Sequence, residues 1–195
     1  MRSAPTGGGS SGGRRRQFTR ARGRAVGRAG EDTRQLGRAH LLASQILTGA
    51  GDPEHARPHL SEAERLLATT PEAEDRYWLK LEQARQAAAS ELFADALVLA
   101  QEALDLIGDT DPAEQGSAWS VIATAQAGQG NNPAAHAAYQ RAVRLLEAAA
   151  NWQEAVQVRR AWARQLNQAG RNDEAVHILE QAAELALRTA ARTRH

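Results

Sequence analysis

From residue 32 onward, apolar residues recur at a helical period in segments separated by short polar corners. Trp119, Ile122, Ala123 and Ala127 fall on one face of a predicted helix, and Ala135, Tyr139, Ala142 and Leu146 on one face of the next. Asp52-Pro53, Thr70-Pro71, Asp111-Pro112 and Asn132-Pro133 each set a capping side chain before a proline. Proline is tolerated at the first helical position because the N–H it lacks has no intrahelical partner there. Asp111 with Glu114, and Asn151 with Glu154, resemble capping boxes. These signals predict eight helices, at 32–49, 53–69, 71–89, 92–107, 112–128, 132–149, 151–169 and 172–190. Pro58, inside the second, predicts either a kink or a true start near Arg57.

The helices repeat in pairs. Ala56, Ala96, Ala135 and Ala175 align at a spacing of about forty residues, and Ala63, Ala103, Ala142 and Ala182 align seven positions later. Between them stand Leu60, Ala100, Tyr139 and Leu179. A turn glycine (Gly51, Gly130, Gly170) precedes three copies, and Glu91 takes its place in the other. Small residues at contact positions let helix axes approach closely, with a larger residue one turn away filling the groove. The corner Ser90-Glu91-Leu92-Phe93 lacks glycine, so a tighter or distorted bend is expected there, with Leu92 and Phe93 buried as a local plug. Four copies between residues 36 and 190 predict an all-α solenoid, a class of scaffold whose curved face binds other molecules.

Composition adds a boundary. The net charge is +1, yet residues 1–30 hold eight arginines and no acid, so subtracting those eight charges leaves −7 on the rest. That Gly/Ser/Arg-rich stretch buries too little apolar area to offset its ordering entropy, and it is expected to be a disordered arm. Residues 31–190 are expected to form the helical domain and 191–195 a basic tail. No cysteine is present, which removes disulfides, thiolate metal sites and a cysteine nucleophile and suits a cytoplasmic location. No apolar run is long enough to span a bilayer, and no apolar segment follows Arg15-Arg16-Gln17-Phe18 as an export signal requires. The glycines from Gly8 to Gly13 lack the Lys and Ser/Thr of a phosphate loop.

The repeated residues resemble the tetratricopeptide repeat. In the third copy Trp119, Ile122, Ala123, Gly130, Ala135, Tyr139 and Ala142 fall on that family's large-large-small-glycine-small-aromatic-small positions. The fourth copy fits with Ala163, Leu166, Gly170, Ala175, Leu179 and Ala182, and the first with Ser44, Leu47, Gly51, Ala56, Leu60 and Ala63. The second keeps Ala84, Ala96 and Ala103. The period exceeds the family's usual thirty-four. More narrowly, Arg38 to Ala43, Ala56 to Leu60 and Arg160 to Arg164 resemble the C-terminal repeat region of Xre-type helix-turn-helix regulators. The resemblance implies a right-handed solenoid of four helix pairs. It also implies a sensor or dimerisation role in a bacterial transcription-regulatory system, without the DNA-reading domain that the family carries.

The resemblance puts the first helix of each pair on the concave face. That places Arg38 and Gln45 there from the first copy, Trp78, Glu82 and Arg85 from the second, Ser117, Ser120 and Thr124 from the third, and Gln157, Arg160, Arg164 and Asn167 from the fourth. Arg160 and Arg164 are one turn apart, and Ser120 and Thr124 are expected to face them. Such a groove suits a protein or peptide that presents a carboxylate, because arginine makes charge-assisted bonds to it. The bland alternative is a solvated helix surface. The family usually closes its last repeat with a further helix. Here Ile178, Leu185 and Leu187 are expected to leave an apolar flank, which a second copy of the chain is expected to cover.

Other chemistry is thin. Trp119 and Trp162 are expected in the core, and Trp152 as a cap residue packed on the preceding helix. His55 and His59 stand at a zinc-chelating spacing with no third ligand nearby, so no metal or cofactor is expected. No nucleophile elbow or other catalytic frame occurs, and no enzymatic activity is expected. An alternative function rests on Arg14, Arg15, Arg16, Arg20, Arg22 and Arg24, which would contact nucleic-acid phosphates without sequence preference.

Overall fold

The computed structural model describes the backbone of residues 11–68 and 72–192 and the side chains of residues 30–68 and 72–190. The described residues are all-α and contain no strand. Their helices are α1 (Ser11–Gly49), α2 (Pro53–Leu67), α3 (Ala73–Ala89), α4 (Phe93–Ile107), α5 (Pro112–Gly128), α6 (Asn132–Ala148), α7 (Trp152–Gln168) and α8 (Asn172–Arg192). Seven of these agree with the expected spans to within a few residues. The first extends well ahead of residue 32, through a stretch in which Arg and Ala, both good helix formers, alternate with glycines. Of the expected arm, residues 1–10 lie outside the described residues, as do the side chains of 11–29, including Arg14, Arg15, Arg16, Arg20, Arg22 and Arg24. The side chains of the tail from residue 191, and the Thr70-Pro71 corner, lie outside them too.

Local chemistry accounts for the boundaries. Asp52 accepts a hydrogen bond from the N–H of His55, and Asp111 accepts from Ala113 and Glu114, so both cap their helices as their sequence context predicts. At α6 the cap is Asn131 rather than Asn132, which forms the first turn with Pro133. Pro58 lies within one continuous α2, which starts at Pro53 and not near Arg57.

Five corners share one closure. The N–H groups of Asp52, Leu92, Asn131, Asn151 and Arg171 each reach back five residues, to the carbonyls of Leu47, Ala87, Gln126, Leu146 and Leu166, at 2.8–2.9 Å. Each needs a left-handed residue just before that N–H. Gly51, Gly130 and Gly170 supply it at φ between 75° and 80°, whereas Glu91 and Ala150 adopt it at φ 60° and 56°. The corner at Glu91 is therefore an ordinary member of the set and not distorted. The expected plug is also corrected. Leu92 is 55% exposed, because the shared closure turns it outward. Phe93 is half-buried against Gly128, where even a methyl group would collide with its ring.

The aligned small residues are the contact points. Ala56, Ala96, Ala135 and Ala175, with Ala63, Ala103, Ala142 and Ala182, are all buried. So are Leu60, Ala100 and Tyr139, but Leu179 is 47% exposed and Ile178 is buried in its stead. Both expectations for α8 change because α8 packs on the large apolar cluster through Ile178, while among the described residues no later helix covers the face that Leu179 occupies. Leu187 is exposed as expected.

Helices pack in chain order. Each touches the next, and α1, α3, α5 and α7 also touch in sequence as an inner row, while among the described residues α2, α4, α6 and α8 do not touch one another. A large apolar cluster runs from Tyr77 and Leu81 of α3 to Ala175 and Ile178 of α8. A smaller one joins Leu41 of α1 to Leu60, Ala63 and Leu67 of α2. Trp78 packs on both. Trp162 is buried as expected, and Trp119 is half-buried beneath the guanidinium of Arg141.

The inner row is also stitched by polar contacts in a repeating register. Arg38 Nε donates to Asp75 Oδ1 (2.5 Å), Tyr77 Oη to the Glu114 carbonyl (2.6 Å) and Ser117 Oγ to Glu154 Oε1 (2.5 Å). Each contact joins residues 37 apart, so one position on an odd-numbered helix repeatedly reaches the first turn of the next. Among the described residues no helix is long and apolar enough to cross a membrane.

Candidate binding groove

The inner row presents a groove of about 540 Å³. Gln45 and Thr48 of α1 form one end, Arg85 of α3 and Ser120 and Thr124 of α5 its middle, and Gln157 and Arg164 of α7 the other wall, with Tyr139 of α6 at the base. Six of the expected residues therefore meet in one place: Gln45, Arg85, Ser120, Thr124, Gln157 and Arg164. A smaller recess of about 220 Å³ brings Arg38, Gln45 and Trp78 together beside it.

Other expected residues do not reach this surface. Glu82 is fully buried beneath it, where its Oε1 accepts from Ser44 Oγ (2.8 Å) and Thr48 Oγ1 (2.7 Å) of α1. Its Oε2 lies 3.9 Å from Arg85 Nη1. Ser117 is also buried, bonded to Glu154. Both residues point across the row at a neighbouring helix, so they join helices instead of facing a ligand. Arg160 and Asn167 are exposed but outside the groove lining. Arg38 is half-exposed and engaged by Asp75 and Glu74.

The polar groups of the groove have distinct capacities. Arg85 is held between Glu82 and Glu154, with Nη2 3.8 Å from Glu154 Oε1. Arg164 is exposed and has no ion-pair partner among the described residues. Ser120 donates to the Ser117 carbonyl (2.7 Å) and Thr124 to the Ser120 carbonyl (3.0 Å), so both hydroxyls spend their proton on their own helix and keep lone pairs for a ligand N–H. Tyr139 Oη lies 3.3 Å from Thr124 Oγ1. Burial raises its pKa, which keeps the phenol protonated at neutral pH. The groove thus combines one unengaged cation, hydroxyl acceptors and two amides.

Thr48, Tyr139 and Glu154 line the groove without having been marked for it in the sequence. Thr48 had a signal, since it lies one helical turn from Gln45. Tyr139 reads as core and Glu154 as a cap partner, and each holds both positions at once. The two histidines of zinc-chelating spacing diverge: His55 bonds Asp52, and His59 Nδ1 meets His40 Nδ1 at 3.1 Å.

Comparison with protein-family models, curated proteins and solved structures returned no match.

Proposed function

We propose that this chain is a non-enzymatic interaction scaffold, a tetratricopeptide-type solenoid whose inner row binds an extended peptide or protein segment bearing a carboxylate. The observation that carries the reading is the convergence of Gln45, Arg85, Ser120, Thr124, Gln157 and Arg164, from four helices, on one groove. Arg164 pairs with the carboxylate, and the hydroxyls and amides take peptide N–H and C=O groups. The packing of helices in chain order and the 37-residue register support the repeat assignment. A role as the sensor or dimerisation part of a bacterial transcription-regulatory system rests on the sequence resemblance.

A fluorescein-labelled acidic peptide with a free C-terminus provides the test. Binding is expected to weaken about fivefold or more in Arg164→Ala, while Arg160→Ala, outside the lining, leaves it unchanged. Equal binding by the Arg164→Ala variant, or none by the unmodified protein at about millimolar peptide, would contradict the groove assignment.

A second contact surface has its own observation. Val176, Leu179 and Leu187 are exposed on α8, at a spacing that sets them on one helical face. Apolar faces of this kind are covered by a partner, and a second copy of the chain is the proposed one. Leu179→Glu is expected to convert a dimer to a monomer in light scattering. A monomer before substitution would remove this reading and leave the groove untouched.

A further inference from the structure

The opposite flank of α7 lines a second cleft. By the helical period, Arg159, Trp162 and Leu166 point away from Gln157, Ala161 and Arg164. With α6 and α8 they bound a space of about 630 Å³, within the range of small-molecule sites. Its wall includes Val143, Leu166 and Ile178, all buried apolar side chains.

The polar groups of this cleft are unusual. Arg159 is 9% exposed, and one end of its guanidinium donates from Nη2 to Glu147 Oε1 at 2.7 Å. Among the described residues its Nε and Nη1 have no hydrogen-bond partner, nor do Trp162 Nε1 and His136 Nδ1. Trp162 is 5% exposed, and it is fixed by an edge contact with His136 (4.8 Å) and by stacking on Tyr139 (6.0 Å). His136 Nε2 lies 3.1 Å from Gln140 Nε2, an amide nitrogen that can only donate, so the imidazole proton belongs on Nδ1. All four orphaned atoms are then donors. Native proteins leave few buried donors unpaired, and four on three residues of one cleft are an incomplete set of bonds. What completes them must be rich in acceptors and poor in donors.

We propose that this cleft binds a small carboxylate with an apolar body, the oxygens taken by Arg159 and Trp162 and the body lying on Val143, Leu166 and Ile178. Of the three acids that line the cleft, Glu147 is engaged by Arg159, Glu174 by Arg171, and Asp173 is exposed on the first turn of α8. The four donors are themselves covered in the unliganded chain, so binding requires side chains of the lining to move aside; Gln140 and Arg144 of that lining are exposed.

The test uses 3-phenylpropionate and 3-phenylpropionamide, which share a body and differ in charge, with inorganic phosphate as a third probe. The readout is the nitrogen–proton resonance of the Trp162 indole and of Arg159 Nε in the full chain. The acid is expected to shift both saturably and to bind at least about tenfold more tightly than the amide. Arg159→Gln is expected to cost about tenfold, and Trp162→Phe, which keeps an aromatic body and loses the donor, about threefold. Equal binding of the amide would overturn the proposal. So would a response to phosphate alone, or shifts confined to Arg164 and Tyr139. No saturation by about 10 mM would mean that ordered water alone satisfies these donors, and would overturn it as well.

Discussion

The first and third junctions of the inner row occupy the same register but are built from different chemistry. Between α1 and α3, Asp75 is 2% exposed and takes Arg38 on one oxygen and Arg34 on the other, each at 2.5 Å. Two turns further on, Glu82 takes two hydroxyls from α1. Between α5 and α7 the equivalent link is the single Ser117–Glu154 bond, and the joint is otherwise carried by Ala118, Val121, Ala155 and Val158 of the large apolar cluster. The first pair of helices thus docks on the rest largely through charge, the last pairs largely through burial. Charge gives direction and register, and it makes the joint answer to pH and salt; apolar area does neither.

Removing the charged keystone has the largest expected effect. Asp75→Ala removes the buried carboxylate shared by Arg34 and Arg38, leaving them only Glu72 and Glu74 among the described residues, and is expected to cost about 2–3 kcal/mol, discounted for their partial exposure. The loss is expected to be local. Amide exchange in α1 and α2 accelerates while α5 to α7 stay protected. Uniform acceleration along the chain would remove the distinction between the two junctions.

Acid tests the same contrast by sign. Burial tends to raise the Asp75 carboxyl, but the hydrogen bonds from Arg34 and then Arg38 outweigh it and hold the group below its ordinary 3.8. A depressed carboxyl contributes stability that is present above the unfolded value and lost as pH falls through the folded one. The first junction is therefore expected to loosen below about pH 4. Glu114, at the second junction, is shifted the other way, by burial first and then by Asp111 and Glu74, so protonation favours its folded form. Exchange measured from pH 6 down to pH 3 is expected to show α1 and α2 opening ahead of α3 to α5. Simultaneous opening would contradict the assignment.

Smaller effects sharpen the picture. Tyr77→Phe deletes the middle link and is expected to cost about 1 kcal/mol in chemical denaturation. Glu91→Gly is expected to stabilise by a similar amount, about 1 kcal/mol, because the residue already sits in the left-handed region that glycine enters freely. A loss of stability on that substitution would show that the Glu91 side chain contributes more than its backbone strain costs.

Much of the fold was legible because helical period and corner chemistry are local. Ala56, Ala96, Ala135 and Ala175 announced the contact points, and Asp52, Asp111 and Asn151 announced the starts. Period identifies a face but not its partner, and the misassignments follow from that. Glu82 and Ser117 lie on inner-row helices as expected, yet a few tens of degrees of rotation turn them from the groove to the neighbouring helix. Leu179 has the right spacing, and its outward position depends on which helices surround α8. The cleft of Arg159 and Trp162 left no sequence signal, since a buried arginine and tryptophan on one helix read as core; only the partners they lack distinguish them.

We propose that the four inner-row helices make one peptide-binding surface. Its most direct test is hydrogen exchange along the whole chain with and without a saturating acidic peptide. Joint protection is expected around Gln45–Thr48, Arg85, Ser120–Thr124 and Gln157–Arg164, lost together in Arg164→Ala. Protection confined to one of those segments, or appearing on α2, α4 and α8 instead, would contradict it.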